Sequence, residues 1–177
     1  MINQAIIYAT KSHEGQFRKG SNIAYILHPI EAGVIASEMK YDEHVIAAAL
    51  LHDTVEDTPT SIEEIEKHFG KRVAALVAAQ SEDKSKSWIE RKTHTIEYLS
   101  GIEDEDIKII ALADKLSNMR AIDRDYKQIG DAIWERFNVK DKNLHGDYYK
   151  GLATALHCLS QHKAYQEFLS LVTGIFA

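Results

Sequence analysis

The chain has 177 residues, of which 45% are hydrophobic and 27% are charged, and its formal net charge is −6. This hydrophobic content excludes a disordered chain, and the negative balance argues against a protein that coats nucleic acid. Cys158 is the only cysteine, which excludes an intrachain disulfide and fits a reducing cytoplasm. No signal peptide is visible, and no apolar run approaches the roughly 20 residues of a membrane span. We therefore expect a cytoplasmic protein without membrane contact.

The first predicted elements are two helices joined by a basic loop. Residues 2–13 carry apolar side chains at helical spacing, and a proline opens a second helix over 29–39. The loop between them, 15–22, reads GQFRKGSN. Its adjacent cations, Arg18 and Lys19, form a candidate clamp for an anion, although such a pair is more often simply solvated.

The remaining elements are also predicted to be helices. Asp42 caps a third helix that we expect to run to Thr58, before a proline stops it. The pairs Ser61 with Glu64 and Ser87 with Glu90 match capping boxes and open two further helices. Later segments complete the prediction: a helix over 107–122, one around Trp134, and a long final helix over 145–172, broken near Gly151. No segment alternates like a strand, so we expect an all-α, single-domain protein over residues 1–177.

The stretch 47–58, with the sequence AAALLHDTVEDT, combines a helix core with four ionisable side chains: His52, Asp53, Glu56 and Asp57. If the helix continues, residues four apart share a face, so the four side chains would fan over its last turn. Such groups are costly to bury after an apolar run without a cation. The alternative is a core histidine followed by a solvated helix end.

Two other segments offer matching ligands. His28 lies at the mouth of a helix, directly before a proline, and Asp114 interrupts an apolar stripe with Asn118 four residues later. Two imidazoles and two carboxylates form a nitrogen and oxygen site for a divalent first-row metal such as manganese, iron or zinc. In that site, Glu56 and Asp57 could orient or deprotonate a water molecule. The other histidines are interpreted as structural or surface residues.

Several motifs resemble those of a known family. They are GQFRKG from Gly15, AYILHP from Ala24, AALLHDTVEDT from Ala48, FGKRVAALV from Phe69, WIERK from Trp88 and LADKLSNMR from Leu112. Together they resemble the HD-domain phosphohydrolases, and among these the alarmone hydrolase domain of the RelA/SpoT family in its small, stand-alone form. The resemblance spans residues 1 to about 125.

The resemblance implies an HD-type helical bundle with one divalent metal, usually Mn²⁺. It also implies hydrolysis of guanosine tetra- or pentaphosphate (ppGpp or pppGpp, the stringent-response alarmones) to GDP or GTP plus pyrophosphate. Carried over by position, the metal ligands are His28, His52, Asp53 and Asp114, the catalytic acids are Glu56 and Asp57, and the nucleotide contacts are Arg18, Lys19 and Asn118. Nothing resembling a synthetase domain follows, so we expect no alarmone synthesis.

Three points stay open at the level of sequence. The same site could serve a phosphatase that acts on NADPH or on a nucleoside monophosphate. It could also serve a non-enzymatic nucleotide sensor in which the metal only stabilises the structure. Tyr149 either packs in the core, the commoner fate of an aromatic residue, or walls the nucleotide pocket. The oligomeric state is not determined.

Overall fold

The computed structural model describes residues 1–177, and most of them are helical. The helices are Ile2–Ser12 (α1), Leu27–Met39 (α2), Glu43–Leu51 (α3), Thr54–Asp57 (α4), Ile62–Phe69 (α5), Lys71–Ala78 (α6), Trp88–Gly101 (α7), Glu105–Ile129 (α8), Lys142–Ala155 (α9) and Lys163–Phe176 (α10), with short 3₁₀ helices at Gly130–Arg136 and His157–Leu159. There is no strand, only an isolated antiparallel bridge between Phe17 and Ala24. The predicted all-α fold is confirmed. No helix is long and apolar enough to cross a bilayer.

The chain divides into two compact units. The first comprises residues 1–81 and 104–114, and the second comprises residues 82–103 and 115–177. Helix α8 therefore contributes its first ten residues to the first unit and the rest to the second. A single domain over 1–177 stays a prediction.

Helix α3 forms the centre of the first unit. Every residue from Val45 to Leu51 is at most 3% exposed, and the helix packs against α1, α2 and α6. A helix that is apolar on all sides is stable only when neighbouring elements cover all of them. The alanines at 47–49 keep this helix thin, so its neighbours approach closely. The last residue of α3 directly precedes His52, so the same packing fixes the position of the ionisable stretch.

The predicted helix starts are confirmed by their capping hydrogen bonds. The Asp42 side chain accepts from the backbone N–H of His44 at the start of α3. Ser61 with Glu64, and Ser87 with Glu90, form reciprocal capping boxes at the starts of α5 and α7. Each box satisfies two backbone N–H groups that the helix itself leaves unpaired.

The prediction that the third helix runs to Thr58 is wrong. Helix α3 ends at Leu51, His52 and Asp53 form a turn, and α4 is a separate single turn. The Thr54 hydroxyl donates to the carbonyl oxygen of Leu51 at 2.7 Å, and the His52 ring lies 2.8 Å from the carbonyl oxygen of Ala49. These side chains satisfy carbonyls at the helix end and so offer the backbone an alternative to continuing the helix. The four ionisable residues therefore do not share one helical turn.

The predicted break near Gly151 is also misplaced. Helix α9 passes through Gly151 and ends at Ala155, and α10 begins at Lys163 after a short 3₁₀ helix. A Cβ atom on Gly151 would lie 2.6 Å from Cδ1 of Ile96. The glycine therefore serves the close approach of α7 to α9, rather than an interruption of the helix.

Gly33 on α2 allows a similarly close approach to α3. An added Cβ would meet Cγ and Cδ2 of Leu50 at 2.8 Å, and Leu50 is only 3% exposed. We expect Gly33→Ala to lower the free energy of unfolding by about 1–2 kcal/mol, because overpacking outweighs the gain of about 1 kcal/mol in helix propensity. Urea unfolding measures this change.

The matched control is Gly101→Ala at the end of α7, where no atom lies within 4 Å of the added Cβ. This variant should be as stable as the parent or more stable. Equal destabilisation of both variants would contradict the packing argument.

Candidate metal centre

His28 is placed in the first unit by the start of α2. It is the second residue of that helix and is 4% exposed. Pro29 follows as the third residue, not the first as the sequence predicts, but this position also lies among the first four backbone N–H groups that need no partner within the helix. The backbone N–H of His28 donates to the carbonyl oxygen of Tyr25 at 2.9 Å. The imidazole is thereby held at the N-terminus of α2, as the sequence predicts.

His52 occupies the turn after α3 and is 3% exposed. Its Nδ1 atom lies 2.8 Å from the carbonyl oxygen of Ala49, so Nδ1 carries the proton that is donated to this oxygen. Its Nε2 atom is buried without a hydrogen-bond partner of good geometry. A hydrogen bond at one ring nitrogen that leaves the other aimed into a site is typical of metal-binding histidines.

Two carboxylates meet these imidazoles. The distance from Oδ2 of Asp53 is 3.0 Å to Nε2 of His52 and 3.4 Å to Nε2 of His28. The distance from Oδ1 of Asp114 is 3.2 Å to Nε2 of His28 and 3.6 Å to Nε2 of His52. Atoms that share a metal at about 2.1 Å, with bond angles near 90–110°, lie about 3.0–3.4 Å apart.

The donor atoms of His28, His52 and Asp114 all lie within 4.8 Å of one another, and all three residues are buried. Asp53 is not one of these three, but its Oδ2 lies 3.0 Å and 3.4 Å from the same two imidazole nitrogens. The residues present therefore fit a divalent metal with nitrogen and oxygen ligands.

The electrostatics of the cluster favour a positive charge. Burial lowers the pKa of His52, but the carboxylates of Asp53 and Asp114 outweigh it and hold this pKa well above its usual range. Burial raises the pKa of Asp53, but the imidazoles of His52 and His28 hold it well below its usual range. Either a proton or a metal ion can satisfy this demand, and a metal ion must displace the proton.

The acidic pair lies beside the cluster on α4. Glu56 is half-buried and Asp57 is exposed. Oδ2 of Asp57 lies 3.4 Å from the hydroxyl of Tyr25, which itself donates to Oδ2 of Asp53 at 2.6 Å. The turn after α3 therefore leaves His52 buried and Asp53 half-buried, and Asp57 on α4 is exposed to solvent.

Tyr25 is a site residue that sequence reasoning missed. Its ring lies edge-on to His28, with the centroids 5.7 Å apart, and 5.0 Å from the ring of His13. Burial and the negative charge of Asp53 raise the pKa of Tyr25 far above its usual range, so the phenol stays a hydrogen-bond donor. The only sequence signal is its place three residues before His28, within AYILHP.

The basic loop is joined to the acidic helix by Gln16, which sequence reasoning also missed. Nε2 of Gln16 donates to the backbone oxygen of Asp57 at 2.9 Å, and its Oε1 lies 2.8 Å from Nδ1 of His13. The guanidinium of Arg18 lies 5.8 Å from the ring centroid of Tyr25, and Lys19 is exposed. The structure therefore brings the predicted anion clamp into the same unit as the metal cluster and the acids.

Two predicted nucleotide contacts belong to the second unit. Asn118 lies four residues beyond Asp114 on α8. Tyr149 on α9 is 7% exposed, and its ring stacks on Phe176 with the centroids 5.8 Å apart. This burial matches the core alternative for Tyr149, and a role in substrate binding stays a prediction for both residues.

Comparison with known proteins identifies the class. The sequence model of the HD domain family matches residues 5–140. The chain therefore belongs to the HD domain family.

Curated relatives from two bacteria align with about two thirds of the chain. The chain is 38% identical over 128 residues to the Escherichia coli K12 protein named bifunctional (p)ppGpp synthase/hydrolase SpoT, and the alignment covers 68% of this chain and 18% of that protein. It is 35% identical over 127 residues to the Brucella melitensis protein named GTP pyrophosphokinase rsh, and the alignment covers 69% of this chain and 17% of that protein. The chain thus spans less than a fifth of the length of these relatives.

Two solved structures share the fold over most of their length. A crystal structure from Listeria monocytogenes EGD-e superposes with a TM-score of 0.78 and 33% identity, covering 84% of this chain and 98% of that one. A metazoan ortholog of SpoT that hydrolyses ppGpp superposes with a TM-score of 0.77 and 31% identity, covering 99% of this chain and 93% of that one. The predicted HD-type helical fold is confirmed.

Removal of one imidazole tests the metal centre. We expect His52→Ala to lose bound metal, because two carboxylates then face a single ring nitrogen, and to lose the stabilisation that metal gives the parent. At 100 times the dissociation constant this stabilisation is about 2.7 kcal/mol. Elemental analysis and thermal unfolding with and without Mn²⁺ measure both effects.

The control is His94→Ala, which removes an exposed imidazole on α7. It should keep both the metal and its stabilisation. An unchanged metal content in the His52→Ala variant would contradict the assignment of His52 as a metal ligand.

Proposed function

We propose that this protein is a metal-dependent phosphohydrolase that removes the 3′-pyrophosphate from guanosine tetra- or pentaphosphate, without synthesising the alarmone. The observation that carries the proposal is the buried cluster of two imidazoles and two carboxylates with an exposed acid beside it. The similarity to a ppGpp-hydrolysing protein over 99% of this chain supports the choice of substrate. We further propose that the protein works in the cytoplasm.

In this proposal His28, His52, Asp53 and Asp114 hold one divalent metal, and Mn²⁺ suits their nitrogen and oxygen donors. When loaded, such a site supplies Lewis-acid activation of water and of a phosphoryl oxygen. Burial of His28, His52 and Asp114, with Asp53 half-buried beside them, keeps the orientation of the ligands fixed and excludes bulk water from the inner side of the site.

The acidic pair moves the protons. A water oxygen attacks the phosphorus attached to the 3′ oxygen, a carboxylate of Glu56 or Asp57 accepts the proton of this water, and the P–O3′ bond breaks. The 3′ oxygen leaves as a hydroxyl after it takes up a proton, and pyrophosphate is released. Two adjacent carboxylates suit this exchange, because the proton taken from the water can be passed on to the 3′ oxygen.

Contacts to the nucleotide come from several segments. The flat guanidinium of Arg18 suits stacking on the guanine base, and the exposed ammonium of Lys19 suits a phosphate. We propose Asn118 and Tyr149 as further nucleotide contacts. The partner is thus a small guanine nucleotide, and the net charge of −6 argues against nucleic acid.

Product analysis tests the proposal directly. The purified protein, loaded with Mn²⁺, is incubated with guanosine tetraphosphate, and in parallel with NADPH and with a nucleoside monophosphate. We expect GDP and pyrophosphate from the first and no turnover of the others. Orthophosphate from NADPH or from the monophosphate would instead show a phosphatase with the same site, and metal binding without any turnover would show a sensor. Incubation with ATP and GTP should yield no alarmone.

Removal of the acidic pair separates catalysis from metal binding. We expect Glu56→Gln and Asp57→Asn each to lower kcat by about 10²–10⁴-fold, the usual worth of a positioned general base, while the metal stays bound. Glu66→Gln, at an exposed position on α5, is the matched control and should be fully active. Loss of metal in either acidic variant would contradict the assigned roles.

A further inference from the structure

The Tyr25 hydroxyl lies between the two functional halves of the site. It donates to Oδ2 of Asp53 at 2.6 Å and lies 3.4 Å from Oδ2 of Asp57. One carboxylate belongs to the metal cluster and the other to the acidic pair. A phenol has a single proton to donate, so these two carboxylates compete for one hydrogen bond.

We propose that Tyr25 is a positioning residue that couples metal loading to the orientation of Asp57. In this role its hydroxyl holds Asp53 towards the two histidines when the site lacks metal, and turns towards Asp57 when a cation occupies the site. The inference rests on the proposed function for the role of Asp57, but its first half concerns metal binding alone.

The oxygen that Tyr25 contacts explains the coupling. Oδ2 of Asp53 is also the atom that faces Nε2 of His52 at 3.0 Å and Nε2 of His28 at 3.4 Å. A cation held among these atoms withdraws electron density from Oδ2, which then accepts a hydrogen bond more weakly. The carboxylate of Asp57, which is not a proposed ligand, loses no electron density to the cation and becomes the better acceptor.

The surroundings of Tyr25 keep its hydroxyl in reach of both acceptors. Its backbone N–H donates to the carbonyl oxygen of Gln16 at 2.9 Å, and the Gln16 side chain donates to the backbone oxygen of Asp57 at 2.9 Å. The position of Tyr25 is therefore tied to α4 through one residue. The Arg18 guanidinium over the Tyr25 ring extends this connection to the basic loop.

The variant that tests the proposal is Tyr25→Phe, which removes only the hydroxyl. We expect Mn²⁺ affinity, measured by titration calorimetry without nucleotide, to rise about 2–10-fold, the worth of one hydrogen bond. The reason is that the hydrogen bond to Asp53 stabilises the metal-free site and is given up when the cation binds. With Mn²⁺ at saturating concentration we expect kcat of Tyr25→Phe to be lower than that of the parent protein, and KM for guanosine tetraphosphate to be unchanged. The split between kcat and KM distinguishes positioning from a general loosening of the fold.

The matched control is Tyr165→Phe in the second unit. Tyr165 donates a hydrogen bond of the same length, 2.6 Å, to the carbonyl oxygen of Ala153. This variant should lose stability but keep both Mn²⁺ affinity and kcat. An equal change of affinity in the two variants would overturn the proposal, as would a Tyr25→Phe variant with lower affinity or with unchanged affinity and kcat.

A double variant tests the link to Asp57. If Tyr25 acts on catalysis through Asp57, then adding Tyr25→Phe to Asp57→Asn should lower kcat at saturating Mn²⁺ no further than Asp57→Asn alone. Full additivity of the two effects would overturn the coupling. If the parent protein binds Mn²⁺ but turns over none of the nucleotides, the proposed function fails, whereas the calorimetric comparison of Tyr25→Phe with Tyr165→Phe still decides the metal-binding half.

Discussion

The first unit depends on the meeting of two buried imidazoles and two carboxylates, with donor atoms 3.0–3.6 Å apart, where α3 ends. Groups of this kind are costly to bury unless a positive charge lies among them. The raised pKa of His52 and the lowered pKa of Asp53 express the same demand. Cation binding is therefore coupled to the stability of the helices that carry these residues, because the ligands come from α2, from α8 and from the turn after α3.

The end of α3 at Leu51 separates the ligands from the acids. A continuous helix would carry His52 and Glu56 on one face and bury or expose them together. The turn instead leaves His52 only 3% exposed and leaves Asp57 exposed on α4. A buried ligand keeps its geometry, whereas a proton acceptor must meet water and substrate. The interruption thus meets two opposite requirements within six residues of sequence.

The basic loop is held by contacts on both of its sides. Gln16 reaches the backbone of Asp57, and the Tyr25 hydroxyl reaches Asp53 and Asp57. The bridge between Phe17 and Ala24 closes the loop between these contacts. Arg18 and Lys19 are therefore presented from a segment that is anchored to the acids, which links the residues proposed to hold the nucleotide with those proposed to cleave it.

The sequence by itself determined the helical class, the capped helix starts, and the segments that supply the clustered residues His28, His52, Asp53 and Asp114. These features are readable because capping boxes and polar residues within apolar stripes are local patterns. Only the tertiary structure decided that α3 stops at Leu51, because side-chain hydrogen bonds from Thr54 and His52 compete there with the next helical turn. It also decided that Gly151 serves close packing and not a helix break. The contacts of Tyr25 with Asp53 and of Gln16 with Asp57 join residues 28 and 41 positions apart, and no periodicity in the sequence encodes such distances.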